Sequence, residues 1–401
     1  MEIDATIIVL LLSFSAALIM GFAANKTNFC TMGAVSDWIN MGDTGRIGAW
    51  MLAISVAIAG VVLMQYFYGI SFDSTLPPYK TANFAWLRYV LGGLLFGVGM
   101  TLASGCGNKT MVNIGGGNLK SLMVLLITGA TAYLLTKTEL YEIIFHSWIN
   151  STAIDLSLYQ IKNQSLDSII LSFFNFNDVD IIRLITGLSV AFIFLFIALK
   201  SKDLLNTKHN ILGGIIIGLM VVAGWFISGG SLGQQAIEAA EWMDVVPVGV
   251  GVQSYTFINP MGEMLNYAAS PFDFSLITFG VVAIFGVISG SFIASIFSKQ
   301  FRFIWFYNIE DAIKHISGAV LMGTGGVLGM GCTIGQGITG VSTLSLGSLL
   351  VLGSIITGSA LTIKVTSYRI MYEDSTLIDA LLCSLVDMNL LTDNFRKYDK
   401  V

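Results

Sequence analysis

Charge is scarce in this chain. Of 401 residues, 20 are Lys or Arg and 25 are Asp or Glu, 11% together, less than half of the roughly 25% usual in soluble domains. So few charges cannot solvate a soluble surface when 55% of the residues are hydrophobic and the mean hydropathy is +0.78. The shortage excludes a water-soluble domain and leaves an all-α polytopic membrane protein. The net charge of −5 gives no support to nucleic-acid binding. Cysteine is scarce as well: Cys30, Cys106, Cys332 and Cys383, none at CxxC spacing. A zinc or iron–sulfur site therefore lacks a framework, and no cofactor is expected. With no P-loop and three histidines near loops (His146, His209 and His315), the sequence speaks against hydrolytic chemistry, and the chain is not read as an enzyme.

What the chain has in excess is glycine, 43 residues clustered in its apolar parts. Small residues let membrane helices approach closely. At the density of Ala103-Ser104-Gly105-Cys106-Gly107-Asn108-Lys109-Thr110, followed by Gly115-Gly116-Gly117, glycine breaks a helix, since each costs about 1 kcal/mol in a helix interior. The pattern returns at Leu328-Gly329-Met330-Gly331-Cys332-Thr333-Ile334-Gly335-Gln336-Gly337. A third break, Asn25 to Gly33 with Cys30 inside it, is too polar for lipid and too short for a domain. Irregular backbone at membrane depth is tolerated only inside protein or along a cavity, so each break is expected to face the interior.

Around the breaks run spans of about 20 apolar residues, the length that crosses a bilayer: 6–24, 48–69, 119–136, 180–199, 211–228, 274–298 and 344–362; 88–103 enters the membrane and breaks at Cys106, and 317–330 leads into the break at Cys332. The first follows acidic Glu2 and Asp4 without a small-residue cleavage site and reads as a retained span rather than a signal peptide. Residues 137–178, with Trp148, Phe173, Phe174 and Phe176, read as interfacial helices. Residues 229–256 read as a polar stretch with Glu238, Glu241 and Asp244, and 363–401 as a charged tail with an amphipathic piece at 377–391.

An offset of 226 superposes Cys106 on Cys332, and with it Gly92 on Gly318, Gly97 on Gly323, Gly99 on Gly325 and Gly105 on Gly331. Lys200, Lys202 and Lys208 mark one turn as cytoplasmic, and Lys299 and Arg302 mark another. The span 6–24 then runs opposite to 211–228. The expected fold is a pseudo-two-fold inverted repeat with broken, re-entrant half-helices meeting at the midplane, the transporter arrangement. Its halves are 1–180, carrying an insertion at about 137–180, and 181–365, followed by a cytoplasmic tail, 366–401.

Such a centre suits a small anion. Desolvating an ion costs several kcal/mol. Half-helix N-termini offset this with roughly +0.5 charge and free N–H groups, without the full charge that would trap it. Neutral thiols are weak donors and suit a soft sulfur anion that must be released. The candidate binding residues are Cys30, Cys106, Cys332, Gly105, Gly107, Asn108, Lys109, Gly331, Thr333 and Gln336. A free cysteine is commonly a small buried hydrophobe, the reading kept for Cys383. The glycines could serve packing alone, and Lys109 could snorkel to an interface or guide anions. Asp37 and Glu263 receive no role.

The runs Asn28-Phe29-Cys30-Thr31-Met32-Gly33, Ser104-Gly105-Cys106-Gly107-Asn108-Lys109-Thr110 and Gly331-Cys332-Thr333-Ile334-Gly335-Gln336-Gly337 resemble the YeeE/YedE family of bacterial inner-membrane proteins. The resemblance covers most of 5–365. It implies an hourglass-like helical fold in the inner (cytoplasmic) membrane and uptake of thiosulfate. Cys30, Cys106 and Cys332 would contact the ion in turn, with Cys30 on the entrance side. A cytoplasmic sulfur-carrier protein is a candidate partner. The Gly-Asn-Lys-Thr run is similar to the YedE branch, which keeps a selenium compound open as substrate. A membrane sulfurtransferase using a Cys-persulfide and a structural subunit of a larger complex are the rival classes.

Overall fold

A computed structural model describes residues 5–173, 178–242, 248–372 and 374–399. Glu2, Asp4, Phe174, Phe176 and Asp244 lie outside the described residues. In chain order the helices are α1 (Ala5–Lys26), α2 (Thr31–Met41), α3 (Gly45–Tyr68), α4 (Trp86–Leu102), α5 (Gly107–Gly115) and α6 (Leu119–Lys137). The insertion follows with α7 (Ser147–Asn150) and α8 (Leu166–Phe173). Then come α9 (Val179–Lys200), α10 (Lys202–Asn206), α11 (Lys208–Gly229), α12 (Ser231–Glu241), α13 (Ile258–Ala269), α14 (Phe279–Phe297) and α15 (Ile309–Leu328). A helical stretch at 333–342, wound as a π-helix over Gly335–Gly340, precedes α16 (Leu346–Met371) and α17 (Leu377–Asp387). Eight segments among the described residues are long and apolar enough to cross a membrane. The only strands among the described residues are Asn83–Phe84 and Ile154–Asp155, paired antiparallel.

Several boundaries differ from the sequence reading for local reasons. Residues 309–316 belong to α15 rather than to a loop. Asn308 accepts from the Asp311 N–H at 2.8 Å, and Glu310 and Asp311 sit in the first turn, where acidic groups favour the helix dipole. The span expected from 274 begins at Phe279, capped by the Thr278 hydroxyl. The polar stretch 229–256 contains a helix, α12. At the other end α16 runs past 362 to Met371, because Lys364 finds Asp387 of the tail at 3.2 Å.

Backbone contact holds the bundle together. A Cβ at Gly290 would stand 1.9 Å from the Leu18 carbonyl oxygen, and one at Gly21 would stand 2.1 Å from that of Val287. Helices α1 and α14 therefore cross with no room for a methyl group. In the same way α4 lies against both α15 and α16, and Gly92 rests on the Gly329 nitrogen at 2.3 Å from its would-be Cβ. These crossings, closer than lipid chains could fill, set the ends of α4 and α15 side by side.

The two membrane faces differ in charge. One gathers the turns carrying Lys200, Lys202 and Lys208, tied to α3 by Asp203 and Thr44, and Lys299 to Arg302, tied to α5 by the Gly116 carbonyl. The other carries the loop 70–85 and the insertion. There Lys80 is buried beside Asp73 at 4.0 Å, and Arg183 donates to Asp167 at 2.9 Å. The insertion works as a strap: Leu166 N–H donates to Leu344 O, Leu346 N–H donates to Gln164 O, and the Gln164 amide donates to Tyr79 O at 2.8 Å.

Burial pushes the Asp167 carboxyl up, but Lys80, the Ser165 hydroxyl and Arg183 outweigh it and hold it below the ordinary carboxylate value. A depressed acid stabilises the fold above its unfolded pKa, and that contribution is lost as pH falls through the folded value. The melting temperature of the purified protein is thus expected to drop below about pH 4. Asp167→Asn is expected to flatten that drop and to cost about 3 kcal/mol at pH 7, the penalty for orphaning a buried partner. Thermal melts across pH check both.

Candidate functional site

Three of the chain's breaks share one geometry. Asn28, Ser104 and Met330 take left-handed φ values of 54°, 56° and 58°, and each stands two residues before a cysteine. A non-glycine residue in that conformation costs about 1–3 kcal/mol, so the surrounding packing must enforce all three turns. Each turn throws the following cysteine to the start of a new helix. Cys30 caps α2, with its sulfur accepting from the Gly33 N–H at 3.5 Å. Cys106 stands at the N-cap of α5. Cys332 opens the 333–342 stretch and accepts from the Gly335 N–H at 3.3 Å.

The three helix starts meet. Cys30 and Cys106 face each other, and the Cys106 sulfur lies beside the N–H groups of Lys109 and Thr31 and the Thr333 hydroxyl, which has no hydrogen-bond partner. A side chain at Gly107 would stand 3.7 Å from Cys332 Cβ. The N–H groups of Phe257 and Ile334 point at the Cys332 sulfur. Phe257 is the N-cap of α13, so a fourth helix start joins the cluster without a thiol of its own. Cys106 and Cys332 are fully buried and Cys30 nearly so, and none faces the acyl chains.

The remaining candidates distribute around this centre. Asn108 is buried at the first turn of α5, its side-chain oxygen without a hydrogen-bond partner. The Gln336 amide nitrogen donates to Gly329 O at 2.6 Å, while its oxygen is likewise unpartnered. Lys109 reaches back to the Asn28 side chain at 2.7 Å and lies against Gly105. Gly331 abuts Thr256. Sequence reasoning missed Thr31 and Thr256, two buried hydroxyls without partners. No motif marks Thr256; only its place two residues before α13 does. Asp37, left without a role, pairs with Arg46 at 2.5 Å. Cys383 is buried in the tail beside Tyr368 and Ala380, remote in sequence and cluster from the other three.

Two cavities approach the turns around the centre, and no cysteine lines either of them. One, of about 500 Å³, is bounded by Pro77, Arg88, Glu263, Thr256, Met330 and Gly331 and reaches the Cys332 turn. The other, of about 340 Å³, is bounded by Asn25, Asn28, Lys109, Asn113, Asn118 and Arg302 and reaches the turn before Cys30 and the side of α5. Among the described residues no cluster of His, Cys, Asp or Glu could hold a metal ion. The centre thus offers neutral donors between a larger, mainly apolar cavity and a smaller, more polar one.

A family model described as sulphur transport matches residues 26–361. The chain belongs to the sulphur transport family. The matched region takes in all three cysteine breaks of this family member and stops within α16, before the tail. That agrees with the resemblance to YeeE/YedE proteins carried by the break motifs. A relative, the thiosulfate transporter TsuA of Escherichia coli (strain K12), is 24% identical over 325 residues, covering 77% of this chain and 80% of that protein. Sulphur transport is therefore the activity class of this membrane protein.

Proposed function

We propose that the protein takes up thiosulfate across the bacterial inner membrane through the meeting point of Cys30, Cys106 and Cys332. The observation that carries this reading is the convergence of the three thiols with the N–H groups of four helix starts. Such a centre compensates a desolvated dianion with partial charges and with weak thiol donors. It holds no full charge that would retain the ion, since Lys109 is committed to Asn28 at the edge. Two breaks of matching φ, each followed by Gly-Cys and a helix, fit the inverted repeat with half-helices meeting at mid-depth.

Orientation follows from charge. The face carrying Lys200, Lys202, Lys208, Lys299 and Arg302 is assigned to the cytoplasm by the positive-inside rule. The 500 Å³ cavity then opens outward and the 340 Å³ cavity inward. On this reading the ion meets Cys332 first, then Cys106, then Cys30. That reverses the order expected from sequence, where Cys30 stood at the entrance; the Cys30 turn adjoins Asn28 and Lys109 on the inward side.

Saturable uptake of radiolabelled thiosulfate is expected in proteoliposomes containing this protein alone. Absence of uptake, or selenite competing more strongly than unlabelled thiosulfate, overturns the assignment.

A further inference from the structure

We propose that Arg88 is the anion-capturing and specificity-determining residue of the larger cavity, a second binding point set apart from the thiols. Its guanidinium is fixed on two sides. Nε donates to Leu328 O at 2.9 Å and Nη2 to Val327 O at 3.2 Å, carbonyls of the last turn of α15, of which Val327 O also accepts from the Met330 N–H. Tyr141 of the insertion covers one face, its ring centre 5.5 Å from Cζ. Nη1 makes no bond to the described residues, and the side chain borders the cavity.

Arg88 and Glu263 are the only charged residues bordering that cavity among the described residues, and they do not pair. Glu263 is engaged by the Thr278 hydroxyl at 2.7 Å and repels anions. Arg88 is therefore the one full positive charge among the described residues that line this cavity. A planar guanidinium with an open edge fits oxyanions, and a preorganised one loses little entropy on binding. A 500 Å³ space far exceeds one small oxyanion, so the anion reaches Arg88 with part of its hydration shell and sheds the rest inward. The two backbone bonds give Arg88 a structural duty as well, capping α15, and the test must separate the duties.

The assignment of the ligand class rests on the proposed thiosulfate uptake. Initial rates of thiosulfate uptake are measured for wild type, Arg88→Gln, Arg88→Lys and Glu263→Gln, with thiosulfate binding by calorimetry on the detergent-purified proteins. Arg88→Gln is expected to raise KM at least about tenfold with Vmax within about twofold, the pattern of lost ground-state binding to a charged donor. Arg88→Lys recovers part of the affinity, and Glu263→Gln shifts KM the opposite way. Cys332→Ala is expected to lose uptake while still binding thiosulfate. If wild type binds but does not transport, and Arg88→Gln loses the binding, capture by Arg88 stands while the uptake reading falls. If wild type binds no thiosulfate, or Arg88→Gln binds as wild type does, the proposal is overturned. A fall of Vmax and melting temperature with KM unmoved assigns Arg88 to capping alone and overturns it too.

Discussion

Cys106→Ala is expected to reduce thiosulfate uptake by about 10- to 100-fold, with the protein still folded. Cys106 is fully buried and faces Cys30, Thr333 and the N–H groups of Lys109 and Thr31. Removing one buried hydrogen-bonding partner costs about 1–3 kcal/mol, and each 1.4 kcal/mol is a factor of ten. Serine at 106 keeps a donor in a smaller, harder atom and is expected to fall between. Cys383→Ala supplies the contrast, because that sulfur accepts from the Lys397 N–H within the tail, and uptake is expected to be unchanged. Initial rates in proteoliposomes, normalised to monodisperse protein, check the series. Equal rates for Cys106→Ala and wild type would end the thiol model.

Gly92→Ala is the second large effect. The added methyl would lie 2.3 Å from the Gly329 nitrogen and 2.8 Å from the Leu328 carbonyl carbon. Both atoms are backbone, so neither can rotate away. Overpacking of this kind costs about 1–3 kcal/mol and occasionally more. The displacement falls on the Gly329–Met330–Gly331 turn that delivers Cys332, so uptake is expected to suffer along with the melting temperature. Gly353→Ala is the matched control: a Cβ there meets nothing within 4 Å, and both readouts should stay at wild-type levels. Thermal melts and uptake on the pair test this, and a silent Gly92→Ala would refute the backbone contact.

The membrane fold was legible because apolar runs of bilayer length leave few alternatives, as with 211–228, which is helical within α11. The cysteine breaks were legible because glycine and asparagine beside a thiol contradict helical continuation at Cys106 and Cys332. Less could be read where structure depends on distant partners. Beyond 362, helix α16 is held by the tail, where Lys364 and Tyr368 meet Asp387, contacts that no local pattern announces. The left-handed turns at Ser104 and Met330 carry no residue suited to them. Asn28 alone hints at its conformation, since asparagine tolerates it. Thr256 and Arg88 were missed because their neighbours lie far along the chain, at Gly331 and Leu328.

The strap formed by Gln164 and Leu166 has a consequence for biogenesis. Its partners, Leu344 and Leu346, are made some 180 residues later. During synthesis the loop 70–85 and the insertion must wait, unlatched, while α9 to α15 are threaded into the bilayer. Only when the final long helix begins to emerge can the latch close, so a nascent chain stalled before residue 344 would present this segment to proteases that the finished protein resists.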